Sequence, residues 1–217
     1  MLGHYEANRP VADFFCGSCE SDYELKSKES KSAILKNTIP DGAYDTMIKR
    51  ITSLNNPNLF VMTYYNNYVN NLIFVPNFFF VPDIIIKRPP LKESARRAGW
   101  VGCNINLGLI PDEAKIKIIY NGEVMSADNV VENYRRIHRL KIDSIRSRGW
   151  LIDTMSCINR IPNNQFTLKD IYAFESVLKI KYPENHFIKD KLRQQLQILR
   201  DKGFIEFTKR GCYKKIL

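Results

Sequence analysis

The sequence predicts two domains: a mixed α/β (α+β) domain over residues 1–142 and a small helical domain over residues 148–217. Three observations carry that reading. Up to residue 140, short apolar runs of strand length are interspersed with amphipathic stretches of helical period. Past Gly149 the pattern changes to three helical stretches followed by two short strands. Between the two lie residues 141–149 (KIDSIRSRG), polar, basic and without a strong period. A chain of 217 residues with 44% hydrophobic content can fill cores of this size.

The elements follow in order. Residues 9–28 (RPVADFFCGSCESDYELKSK) open with an apolar run that ends near Asp13. They turn through Cys16-Gly17-Ser18-Cys19 and return as a strand carrying Glu24, Leu25 and Lys26. Residues 29–40 read as a polar loop. Residues 41–54 place Tyr44, Met47, Ile48 and Ile51 at helical spacing. Residues 58–65 and 71–76 read as strands around an Asn-rich turn, and residues 81–88 form another apolar run that ends at Pro89-Pro90. Residues 115–120 alternate cleanly before the turn signal Asn121-Gly122. A helix over 128–140 has Ser126 or Asp128 as its cap.

In the second domain, helices are expected over 150–161, over 167–181 with Thr167 as cap, and over 186–202. The last carries Ile188, Leu192, Leu196 and Leu199 on one face, and Gly203 ends it. Strands over 204–208 and 212–216 flank Lys209-Arg210-Gly211. Three helices and a basic hairpin make a winged helix-turn-helix.

Charge narrows the partners. The formal net charge is +10 and the pI about 9.4, which favours a polyanion. Residues 186–217 hold nine Lys/Arg and three Asp/Glu, a balance of +6. Arg193, Gln194 and Gln197 lie off the apolar stripe of their helix and are of the types that pair with base edges. Lys191 on that helix and Lys209 and Arg210 on the wing join them as expected DNA contacts. A merely solvated helix face, or a protein-binding one, would carry similar charges. The richest apolar run, residues 72–86, is broken by Pro76, Asn77, Pro82 and Asp83, so no membrane partner is expected. Five cysteines, an odd number, and an N-terminus without a signal-like apolar core point to reduced thiols in the cytoplasm.

Three short constellations bear on chemistry. Side chains alternate along a strand, so Glu24 and Lys26 share a face. A hairpin would bring Asp13 beside them. Two carboxylates and an ammonium gathered there are costly unless a cation sits between the carboxylates, and Mg²⁺ suits such oxygen donors. That is the pattern of a metal-dependent phosphodiesterase, with Asp13 and Glu24 on the metal and Lys26 orienting or deprotonating water. The wet face of an ordinary hairpin has the same alternation. Cys16 and Cys19 have the spacing of half a tetrahedral Zn²⁺ site, with His4 as a candidate third ligand; two unligated thiols at a hairpin tip fit equally. Arg96 and Arg97 before Gly99-Trp100 would set guanidinium groups on phosphate and an indole against a base. Taken alone, that segment reads better as a core Trp beside solvated arginines.

At this point the residues carry a resemblance. NRPVADF (residues 8–14), ELKSK (24–28), DGAY (41–44), ARRAGWVGCNI (95–105) and RQQLQILRDK (193–202) resemble, in order, segments of the DpnI-type methyl-directed (Type IIM) restriction endonucleases. The resemblance runs from about Glu6 to the C-terminus. It implies a PD-(D/E)xK nuclease core with a mixed central sheet, followed by a winged helix, both binding DNA. It implies cleavage of GATC whose adenine carries an N6-methyl group. By position it makes Asp13, Glu24 and Lys26 the catalytic triad, with the Leu25 carbonyl a further Mg²⁺ ligand. It makes Cys16 and Cys19 the second half of a four-cysteine zinc site. The first half belongs to an N-terminal portion that this chain is expected to lack, leaving the zinc site incomplete. The resulting expectation is a cytoplasmic, monomeric, Mg²⁺-dependent endonuclease acting on adenine-methylated double-stranded DNA. The alternatives are a non-catalytic methylated-DNA-binding protein and a winged-helix regulator with an unrelated sensor domain.

Overall fold

The computed structural model describes residues 2–6, 12–30 and 37–216. Residues 9–11 of the opening stretch and 31–36 of the expected polar loop lie outside the described residues. The chain divides into two compact units, Met1–Arg148 and Gly149–Leu217.

The first unit is built on a mixed sheet. Its strands are β1 (Leu2–His4), β2 (Phe14–Cys16) and β3 (Ser21–Glu29), then, after β4 (Thr38–Ala43) and helix α1 (Tyr44–Thr52), β5 (Asn58–Tyr65) and β6 (Tyr68–Val75). Strands β7 (Ile85–Lys87) and β8 (Gly102–Asn106) follow, then β9 (Ile116–Tyr120), β10 (Glu123–Val124) and helix α2 (Ala127–His138). The large sheet has the order β1-β2-β3-β5-β6-β9-β10, and a smaller one the order β4-β8-β7. Only β3 and β5 pair in parallel, with Glu24 opposite Leu59 and Lys26 opposite Val61; the other pairs of the large sheet are antiparallel. The crossover between β3 and β5 holds β4 and α1, as a parallel connection requires.

Alternation gives the sheet two different faces. Tyr23, Phe60 and Phe74 form a ring cluster on one, covered by Tyr134 of α2. Leu59, Val61, Ile73 and Val75 are buried on the other. By register, Glu24 and Lys26 lie on that second face. The Asn121-Gly122 turn has both residues at positive φ, 51° and 81°, as a tight hairpin between β9 and β10 requires. Ser126 caps α2, its hydroxyl accepting from the Asn129 N–H at 3.3 Å.

One expected helix starts later than its residues suggested. Residues 41–43 are strand: Asp41 pairs with Cys103 across β4 and β8, with a bulge before Ala43, and α1 begins at Tyr44. Pro40 pushes Ile39 toward extended backbone, and β4 is an edge strand that tolerates a proline.

The second unit holds most of helix α3 (Ile145–Arg160), then β11 (Gln165–Thr167), α4 (Leu168–Tyr172), α5 (Glu175–Lys181), α6 (Ile188–Asp201), β12 (Ile205–Lys209) and β13 (Cys212–Lys215). The first helix begins five residues before Trp150, so the polar stretch 141–149 is partly helical. The single helix expected over 167–181 is two helices broken at Ala173 and Phe174. Thr167 does cap α4, in a reciprocal capping box with Asp170. Trp150 stacks on Tyr182 at 4.0 Å between centroids, and Asp153 binds both the Tyr182 hydroxyl (2.6 Å) and Lys181 (2.7 Å). Ile188, Leu192, Leu196 and Leu199 are all buried, as their stripe predicts. Gly203, at φ 78°, follows α6. Strand β13 lies between β11 and β12, forming the wing. Among the described residues, no helix is long and apolar enough to cross a membrane.

Candidate active site and nucleic-acid interface

The site grows out of β3. Strand β2 starts at Phe14, opposite Tyr23, so the Leu25 N–H lies past the end of that ladder. The Asp13 carboxylate accepts it, Oδ2 to N at 2.7 Å, while the Asp13 N–H donates to the Tyr23 carbonyl. Asp13 thus serves as the missing ladder partner and is fixed against the middle of β3. Two residues apart on the buried face, Glu24 and Lys26 form an ion pair of 2.6 Å.

A third acid joins them that the sequence had placed in a helix. Asp41 of β4 receives the Lys26 ammonium on Oδ1 at 2.6 Å, and the same oxygen accepts the Gly42 N–H at 2.7 Å. The Asp41 side chain is only 5% exposed, against 19% for Glu24 and 25% for Lys26. Its Oδ2 is buried and has no hydrogen-bond partner among the described residues. Helical spacing over 41–54 put Asp41 at a helix start; only its pairing across from Cys103 reveals its direction.

The electrostatics follow from this crowding. Burial and then the neighbouring Asp41 push the Glu24 carboxyl above its usual range, against the pull of Lys26, with Asp13 adding to the rise. Burial opposes the charge on Lys26, but Glu24 and Asp41 together more than offset it and raise its pKa. Lys26 is therefore firmly an ammonium here, suited to stabilising negative charge rather than to taking a proton. Two carboxylates, Glu24 and Asp41, thus grip the Lys26 ammonium, while Asp13 adds its influence beside Glu24.

The other sequence candidates separate. Cys16 and Cys19 meet at the hairpin tip, where Cys19 Sγ lies 3.4 Å from the Tyr23 hydroxyl. Hydrogen bonds from Tyr23 and then Ser21 pull the Cys19 thiol down to about 7. His4 does not join them as a third ligand: its ring packs edge-on against Phe14, which it faces across β1 and β2. Among the described residues no three His, Cys, Asp or Glu side chains gather as a metal-binding group. Trp100 is half-buried rather than a core residue, and the Arg97 guanidinium lies 4.5 Å over its ring. Arg97 thus covers the indole, while Arg96 is exposed beside it. Gly102 leaves room for the ring, since a Cβ there would lie 2.7 Å from it.

On α6, Arg193, Gln194 and Gln197 are exposed while Gln195 is buried. The Lys191 ammonium donates to Gln194 at 2.6 Å. Arg193 donates to the Tyr172 hydroxyl of α4 and lies over the Tyr172 ring. Tyr172 was not foreseen as a partner. Lys209 and Arg210 stand exposed at the wing tip.

Comparison with known families accounts for both units. Residues 1–143 match the DpnI family, described as the Dam-replacing family. Residues 146–215 match its C-terminal companion, the Dam-replacing HTH domain. The family is one of restriction endonucleases that act on DNA according to its methylation. With the first match alone spanning well over half its length, this chain belongs to the DpnI (Dam-replacing) family.

Proposed function

We propose that the chain is a methyl-directed DNA endonuclease. It hydrolyses double-stranded DNA at GATC sites bearing N6-methyladenine, on a PD-(D/E)xK core and with a divalent cation such as Mg²⁺. The observation that supports this best is the cluster on β3, in which Asp13, Glu24 and Lys26 are drawn together on a chain of this family. The donors Asp13 and Glu24 offer are carboxylate oxygens, although among the described residues no three His, Cys, Asp or Glu side chains gather as a ready-made metal group. Oxygen donors of that kind are the ones a hard divalent ion takes.

In this reading Asp13, Glu24 and the Leu25 carbonyl hold the cation. When bound, Mg²⁺ supplies Lewis acidity and a water of lowered pKa. The protein's own contribution is positional. Asp13 is pinned by the Leu25 N–H, and Lys26 presents a fixed positive charge to the phosphorane-like transition state. The helix-turn-helix unit supplies base contacts through Arg193, Gln194 and Gln197 and backbone contacts through Lys191, Lys209 and Arg210. Arg96, Arg97 and Trp100 form the contact surface of the first unit. We read the enzyme as monomeric and cytoplasmic, a setting that accords with its free cysteines. Cys16 and Cys19 supply two of the four thiolates a structural Zn²⁺ would need.

Digestion of methylated and unmethylated plasmid, with and without Mg²⁺, tests the proposal. Cleavage of the methylated plasmid in Mg²⁺ alone is expected. Methyl-dependent binding with no cleavage under any condition would make the chain a non-catalytic reader of methylated DNA.

A further inference from the structure

Lys26 is held from two directions. Glu24 reaches it from the same strand, and Asp41 from β4 of the other sheet, each at 2.6 Å. A lysine side chain has four rotatable bonds, so a single partner two residues away leaves its ammonium free to swing. The second anchor removes that freedom. Asp41 is itself anchored, by the Gly42 N–H on the oxygen that holds Lys26. Burying a further carboxylate beside Glu24 is a poor device for stability, because a buried ion pair seldom outweighs its desolvation. The arrangement makes sense if the gain lies in placement.

We infer that Asp41 is a positioning residue that fixes the Lys26 ammonium for phosphodiester cleavage; the inference rests on the nuclease reading above. Asp41 does not touch the reacting atoms in this role. It acts through Lys26.

The test uses the whole chain with Asp41→Asn and Asp41→Glu. Three quantities are measured: single-turnover cleavage in Mg²⁺, affinity for methylated DNA with Ca²⁺ in place of Mg²⁺, and the ¹⁵N–¹H correlation of the Lys26 ammonium. That correlation is assigned by its loss in Lys26→Arg. D41N should slow cleavage by about 10- to 100-fold, the size expected of a small misplacement. DNA affinity should hold and the Lys26 correlation should move. D41E should recover part of both. An unmoved correlation, or a cleavage rate equal to the wild type, overturns the inference. If D41N does not fold by circular dichroism, D41E decides alone, since its longer arm displaces the carboxylate; unchanged rate and correlation then overturn it. A wild-type chain that binds but never cuts sinks the nuclease reading instead. The correlation still decides the contact: movement in D41N supports it, and none overturns it.

Discussion

The cluster on β3 and the basic face of α6 hold charge in opposite ways. On β3 the charged groups share a sheet face with Leu59 and Val61, and each sets the state of the next. On α6, Arg193 and Gln197 stand on the exposed side while the apolar stripe is buried separately. Exposed pairs are worth little individually and add nearly independently, whereas buried ones act as a unit. Substitutions in the first place should therefore act nearly all or none, and those in the second by degrees.

The strongest way to break this contrast is Lys26→Ala. It removes the ammonium held by Glu24 and Asp41 and should abolish cleavage while DNA binding largely persists. A variant that cuts at the wild-type rate would remove Lys26 from the mechanism and make the cluster merely structural.

The next test reads the field of the cluster with native thiols. Cys103 is pushed up to about 11, by burial first and then by Asp41. Cys19, exposed at the hairpin tip, lies at about 7. Only the thiolate reacts, so at neutral pH iodoacetamide should modify Cys19 faster than Cys103 by on the order of a thousandfold. The Cys19 rate should rise to half its plateau near pH 7. Comparable rates in peptide mapping would mean that Cys103 on β8 is open to water.

A graded effect is expected on α6. Replacing Arg193 or Gln197 should cost about 1–3 kcal/mol on the specific site and little on random DNA. Arg193 also donates to Tyr172, so Tyr172→Phe should carry a fraction of the same penalty. Equal losses on all sequences, read by titration at one salt concentration, would reassign these side chains to the DNA backbone.

The two units were not equally legible. In the second, a period of helical spacing and the signals Thr167 and Gly203 located the helix–wing order, because capping and burial there are local properties of the chain. The break at Ala173 was hidden, since Phe174 and Leu178 continue a helical pattern across it. In the first unit, an apolar run before an Asn-rich turn found β5 in full, and alternation put Glu24 and Lys26 on one face. It could not find Asp41. That residue reaches Lys26 only because β4 pairs with β8, a partner more than sixty positions away, and the helical period that follows it hid the strand. His4 failed for the converse reason. It lies close to the cysteines in sequence, but the register opposite Phe14 commits its ring elsewhere.

The smallest expected effect concerns the methyl group itself. An N6-methyl offers no hydrogen bond and adds only apolar surface, worth about 0.8 kcal/mol by burial. A reader must supply an apolar wall that bare adenine fills poorly. Trp100 is half-buried with Arg97 over its ring, so part of the indole remains at the surface of the first unit. Such a ring offers a flat apolar face at little entropic cost. With two methyls in a palindromic site read by two units, discrimination of roughly 1–2 kcal/mol is within reach of burial alone. Trp100→Ala should therefore lower the ratio of methylated to unmethylated affinity by only severalfold, while phosphate-driven binding at low salt persists. Arg97→Lys keeps the charge but loses the planar stack, and should weaken the ratio less. If Trp100→Ala keeps its circular dichroism and its ratio, Trp100 serves only to pack against Gly102 and Arg97, and the methyl is read by the second unit.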